Sequence, residues 1–214
     1  WELPLFMLEK AVHISDSRQV YLVRHLLTHL LFLFSALAFY VLGYRLFRSK
    51  PLALVGMLIL LLTPRLYAHS FFNTKDLPFL SFFVMSFAAA ELAFAKNNKR
   101  WFITAGIFCG LTTATRVLGS MLPSILGVFL LADLFMAARK KTGVGKVAAN
   151  GSVFLAAFLA TTYAVWPYLW EHPISHFVET IQQMSHFRWR GNVLFRGQQV
   201  PATELPAAYL PTWF

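Results

Sequence analysis

The sequence predicts an all-α, polytopic transmembrane helix bundle, and three observations carry that reading. Of the 214 residues, 57% are hydrophobic and only 13% are charged, roughly half the charge of a soluble domain. Apolar stretches long enough to cross a bilayer, which takes about 20 residues, recur along the chain. Three short cationic clusters punctuate them: Arg45/Arg48/Lys50, Lys96/Lys99/Arg100 and Arg139/Lys140/Lys141/Lys146. Successive clusters are spaced to hold two crossings each, and Lys and Arg in short loops stay on the cytoplasmic side. The expected topology is six crossings plus the start of a seventh, with everything midway between clusters on the outer face.

Residues 1–14 mix apolar side chains with Glu2, Glu9, Lys10 and His13, and are too polar to span. They read as an amphipathic segment on the outer surface, anchored by Trp1 and Phe6. Asp16 with Gln19 three residues later is a capping-box type of helix start. The helix that follows carries Arg24, His25 and His29 on its first turns and runs apolar to the first cluster. Residues 52–62 begin the return, which Pro64 breaks. Asp76 with Pro78 two residues on opens the next helix, and the Asp side chain is expected to cap free backbone N–H groups. That helix descends to the second cluster, with Glu91 near its inner end.

Residues 101–115 climb again but are short. At 1.5 Å per residue they reach about 22 Å, which places Arg116 in a recess below the outer headgroups. Residues 117–137 return, and 147–168 rise to an aromatic belt of Tyr163, Trp166, Tyr168 and Trp170. Residues 171–206 form the longest non-spanning stretch. Ile174, Phe177, Val178, Ile181 and Met184 fall there at helical spacing, giving an amphipathic interfacial helix, and a loop with Gly191, Gly197 and Pro201 follows. The expected organisation is a single membrane domain: an outer segment over 1–20, six helices over 21–170, an outer loop over 171–206 and a new helix from 207 to 214. The chain opens on Trp1 and stops as an apolar stretch begins, so it is expected to be an internal piece of a longer protein.

The net charge of +10 does not point to nucleic acid, since no basic stripe runs along a soluble face. About half of the Lys and Arg sit in the inner clusters. Lys10, Arg18, Arg24, Arg65, Lys75, Arg116, Arg188, Arg190 and Arg196 fall on the outer side, against the usual bias. Such a surplus suits an anionic ligand such as a phosphate; contact with lipid headgroups is the plainer alternative. Cys109 is the one cysteine, so no disulfide forms within the chain. With Gly106, Gly110 and Ala114 around it, it reads as helix packing. No phosphate-cradling glycine loop, CxxC, HExxH or GxSxG is present.

The hairpin from Arg65 to Asp76 holds the densest chemistry. Asp76 beside Lys75, with Arg65, His69 and Asn73 across a short turn, offers acid–base groups and anion ligands. Arg116 is suited to grip a phosphate bidentately. His186 and Arg188 are further candidates for an outer cavity, although a lone histidine is a weak metal signal.

Several strings together resemble a known family: Pro64-Arg65 followed by Asn73-Thr74-Lys75-Asp76-Leu77-Pro78, then AGIFCGLTTATRVLG at 105–119, WPYLWEHP at 166–173 and LPAAYLPTW at 205–213. The chain resembles the bacterial protein-mannosyltransferase-like glycosyltransferases of family 39, which have the C-type fold and include the lipid A aminoarabinose transferase. The resemblance implies transfer of a sugar from a polyprenyl-phosphate carrier to a protein, lipid or glycan acceptor. It implies a bacterial inner-membrane location with the active site facing the periplasm, inversion at the anomeric carbon and a carboxylate as general base. The family's first outer loop carries an acidic catalytic motif; this chain is expected to hold only the second half of that loop, Trp1 to about Gln19, without the principal acid. Glu2, Glu9 and Asp16 do not reproduce it. By position, Asp76 matches the acid opening the fourth helix, the candidate catalytic carboxylate that positions the acceptor or another catalytic group. Lys75, Arg65 and Arg116 would meet the carrier's phosphate, with His69, Asn73 and Arg188 beside them. His186 falls near a metal-binding histidine of the aminoarabinose enzyme, which implies a divalent metal as the one cofactor option.

Two other readings compete. A transporter or lipid flippase would favour mid-bilayer charges and related halves with interrupted helices, whereas here the charges cluster at helix ends. A structural membrane subunit without activity is the other.

Overall fold

Local chemistry sets the helix boundaries. The computed structural model describes residues 1–186 and 191–213, which form two units, Trp1–Pro173 and Ile174–Phe214. In the first unit, α1 (Glu2–Ala11) is followed by α2 (Ser17–Phe47), opened by the Asp16 carboxylate accepting from the Arg18 N–H at 3.3 Å, as its sequence position leads one to expect. Ser49 opens α3 (Lys50–Leu62) in the same way, and Pro51 sits in its first turn. Pro64 then ends α3 and starts α4 (Pro64–Ser70), and the two helices are bent by 63°. There follow α5 (Asp76–Lys96), α6 (Lys99–Thr115, opened by Asn98), α7 (Met121–Arg139) and α8 (Val144–Val165).

Each cationic cluster coincides with a tight turn. Arg48 (φ 55°) ends α2, Asn97 (φ 45°) ends α5, and Lys141 (φ 52°) and Gly143 (φ 72°) reverse the chain between α7 and α8. Left-handed residues of this kind close helices sharply, so the charge that biases topology also sits where the chain turns.

Among the described residues four segments are long and apolar enough to cross a membrane: Ser17–Phe47, Asp76–Lys96, Val117–Arg139 and Val144–Val165. The bent pair α3–α4 makes a fifth if it counts as one broken span. The sixth crossing expected from the sequence rests on α6, whose 17 residues reach about 25 Å against a hydrocarbon core of about 30 Å.

α6 is nonetheless the centre of the bundle, packing mainly on α5 and α8. The core there is built from Ala89, Ala90 and Ala93 of α5, Phe102, Ala105 and Cys109 of α6, Leu122 and Leu126 of α7, and Phe154 of α8. Gly106 and Gly110 make the α6–α8 seam possible. A Cβ on Gly106 would lie 2.5 Å from the Phe154 carbonyl oxygen, and one on Gly110 would lie 2.7 Å from Thr161 Cβ. Small residues four apart let two helix backbones meet this closely, and Cys109 beside them is fully buried.

In the second unit, α9 (Pro173–Ser185) is the expected amphipathic helix, with Ile174, Val178, Ile181 and Met184 all exposed. The stretch after it, expected to be a loop, contains an antiparallel hairpin of β1 (Asn192–Phe195) and β2 (Gln198–Pro201), in register Phe195↔Gln198. Arg196 (φ 49°) and Gly197 (φ 82°) form its two-residue turn, the geometry that matches strand twist.

Candidate functional site

The two ends of the first unit can be told apart by their polar contacts. At one end Arg45 of α2 pairs with Glu91 of α5, and Asn150 of α8 donates to the Asn97 side-chain oxygen at 2.8 Å. The cationic clusters lie at this end. At the other end the α4–α5 turn, the end of α6, the start of α2 and the end of α8 come together.

The α4–α5 turn is organised by Asn73. Its side-chain oxygen accepts from the Asp76 N–H at 2.8 Å and the Lys75 N–H at 3.1 Å. Asp76 was expected to cap α5; instead it is the first helical residue, and Asn73 satisfies the free N–H groups. The reason is reach, since the Asx side chain three residues earlier already faces those donors. The Asp76 carboxylate is thereby released for other work. Its Oδ2 accepts from Asn73 Nδ2 at 3.0 Å, and its Oδ1 accepts from Arg116 Nη2. Asn73 Nδ2 also lies 3.0 Å from His69 Nδ1, so His69, Asn73, Asp76 and Arg116 form one chain of contacts.

Arg116 reaches this chain because α6 stops at Thr115. Its backbone is extended (φ −147°), its N–H donates to the Thr112 carbonyl at 3.1 Å, and its own carbonyl accepts from Gly119 at 2.8 Å. The following turn (Val117–Ser120) folds back onto α6 so closely that a Cβ on Gly119 would fall 2.7 Å from the Thr112 carbonyl carbon and oxygen.

A cavity of about 500 Å³ opens beside this network, lined among others by Arg24, Lys75, Thr74, Trp1, Phe6 and Trp166. Asp76 and Arg116 flank it, each next in the chain to a lining residue, Lys75 and Thr115. The sequence leaves Arg24 to an anionic ligand or to lipid headgroups; in the structure its guanidinium grips Glu9 side-on, through Nε at 2.5 Å and Nη2 at 3.0 Å, and Glu2 through Nη1 at 2.7 Å. This clasp fixes α1 against α2, helped by the Trp1 indole N–H donating to Thr28 Oγ1 at 3.3 Å. The hydrogen bonds from Arg24 hold the Glu9 carboxyl below the usual carboxylate range. Glu9 itself is buried, which a charge tolerates when so fully paired.

The residues singled out by sequence thus divide. Asp76, Arg116, Asn73 and His69 are joined, and Lys75 faces the cavity. Arg65 is exposed on α4 and makes no ion pair among the described residues. Arg188 lies outside the described residues. His186 contacts Ser185 Oγ and the Gln182 carbonyl, each at 2.9 Å. Among the described residues no group of three or more His, Cys, Asp or Glu gathers to hold a metal ion, so the donor set around His186 does not fit one. The Arg24–Glu2–Glu9 clasp was missed, though a signal existed: Glu2 and Glu9 are a heptad apart and share a helix face.

A family model described as dolichyl-phosphate-mannose-protein mannosyltransferase matches residues 6–166. The chain belongs to this family. That stretch contains Asp76, Arg116 and the rest of the α4–α5 turn, together with the helices that carry them. With four to five apolar helices of spanning length, this member of the mannosyltransferase family is an integral membrane glycosyltransferase. No curated protein and no solved structure matches the chain.

Proposed function

We propose that the chain transfers a sugar from a polyprenyl-phosphate carrier to an acceptor on the outer, periplasmic face of a bacterial inner membrane, within a C-type bundle of six crossings. The observation that carries this reading is the Asp76–Arg116 pair, held by Asn73 beside a cavity that Arg24 and Lys75 also face. In such a reaction the acceptor oxygen attacks the anomeric carbon, and the carbon–oxygen bond to the carrier phosphate breaks with its electron pair passing to the phosphate. The acceptor proton goes to a carboxylate base. Charge grows on the leaving phosphate oxygen, and a guanidinium set in place beforehand stabilises it. Both Asp76 oxygens are already engaged, by Arg116 and by Asn73. Asp76 therefore serves by positioning Arg116, and Lys75 adds a second cation.

The test uses the complete purified protein and a polyprenyl-phosphate sugar donor. Arg116→Ala and Asp76→Asn should each lower sugar transfer by about 100-fold or more, the size of losing one such charge-stabilising group, with the protein still folded in detergent. Wild-type turnover in both variants would remove the pair from the mechanism. The broken helix α3–α4 is a feature a transporter would also display; movement of a solute without consumption of donor would favour that reading.

A further inference from the structure

The end of the bundle opposite the candidate site carries an apolar groove of about 480 Å³ between α2 and α3, lined by Leu37, Tyr40, Lys50, Pro51, Leu54 and Met57. Only one charged side chain, Lys50, lines it, and that residue starts α3. Of the cations in this cluster, Arg45 is consumed by Glu91, while Arg48 and Lys50 are exposed and make no ion pair among the described residues. The α3 N-terminus adds its own partial positive charge at the same place.

We infer that this groove holds one acyl chain of an anionic phospholipid, whose headgroup phosphate sits against Lys50 and Arg48. Depth supports the assignment. From Lys50 to Met57 along α3 is about 10 Å, and from the α2 end at Phe47 back to Leu37 about 15 Å, at 1.5 Å per residue. The groove thus runs from the cationic rim to roughly the middle of a bilayer whose hydrocarbon core is about 30 Å thick. That is the territory of a single leaflet's chain. The lining is apolar below the rim and cationic at it, which complements an acidic lipid and not a zwitterionic one. Next to the groove α2 and α3 meet closely, since a Cβ on Gly43 would lie 3.4 Å from Ala53 Cα. The site is remote from Asp76 and Arg116 and is independent of the sugar-transfer reading.

The experiment delipidates the complete protein in detergent, titrates it with phosphatidylglycerol or phosphatidylcholine, and counts bound lipid by native mass spectrometry. The expected result is one phosphatidylglycerol retained at least tenfold more strongly than phosphatidylcholine. Arg48→Gln with Lys50→Gln should abolish that preference. Leu54→Trp, at an exposed position where a larger ring fills the groove, should abolish the adduct. Equal retention of the two lipids, or a preference that survives both sets of substitutions, would overturn the proposal. Because the readout is lipid mass and not turnover, its outcome does not depend on whether the protein transfers sugar.

Discussion

Both ends of the bundle carry an arginine paired with a carboxylate from a neighbouring helix, yet the two pairs are built for different tasks. Arg45 and Glu91 are 21% and 25% exposed and, among the described residues, are tied to each other alone. Arg116 and Asp76 are 41% and 54% exposed and sit in a relay with Asn73 and His69 beside a cavity. An exposed pair contributes about 0–1 kcal/mol to stability, so letting a ligand's phosphate share the guanidinium with its carboxylate costs the fold little. A pair closed in by packing has no such freedom, because removing one partner strands the other charge. The same two functional groups are therefore structural at one end and available at the other.

The contrast can be broken directly by exchanging the perturbation between ends. Arg116→Gln should cost about 100- to 1,000-fold in transfer while the unfolding midpoint in detergent barely moves. Arg45→Gln should do the reverse, costing about 2–3 kcal/mol, as for a lost hydrogen-bonded charge, with turnover per folded molecule unchanged. If both variants lost only stability, the outer pair would be structural too.

A smaller effect tests whether the bundle between the ends is rigid. Gly110→Ala puts a Cβ 2.7 Å from Thr161 Cβ, and thermal unfolding should report a loss of about 1–3 kcal/mol, the usual cost of overpacking. Gly127→Ala, where a Cβ meets nothing within 4 Å, is the matched control and should leave stability unchanged or slightly raised.

The smallest effect concerns the Arg24 clasp. Glu9 is held below its ordinary carboxylate range by Arg24, so the folded state binds fewer protons than the unfolded one as the pH approaches that range. The stabilisation is complete above the ordinary value of about 4.3 and fades as the pH falls through the lowered one. Hydrogen-exchange protection over residues 2–11, taken relative to the intrinsic rate at each pH, should fall across that acidic window in the wild type. In Glu9→Gln the protection should be lower at neutral pH and unchanged by acid.

How far the sequence reveals this architecture depends on the range of each interaction. Pro64 ends a helix by losing a donor and clashing with the preceding turn, so the α3–α4 break is local and readable. The end of α6 at Thr115 and the tight approach at Gly119 are equally local. Asp76 and Arg116 fall at the same end because two helices separated by one cationic turn must return there, so periodicity brings them near one another without showing that they touch. The capping role passes from Asp76 to Asn73 because two Asx residues compete within four positions, and composition does not rank them. Glu9 and Arg24 meet across a helix–turn–helix corner, a geometry no linear pattern supplies. The hairpin at 192–201 was hidden by its polar residues, although two four-residue runs around Arg196-Gly197 carry the two-residue turn signal.

Gly119 restricts what this protein can become. The space a methyl would need is occupied by the backbone of Thr112, so no change of neighbouring side chain can make room for one. Any substitution there pries the turn away from α6 and swings Arg116 with it. A residue with no chemistry of its own thus dictates where the guanidinium points, and lineages that keep the arginine in this setting must keep the glycine as well.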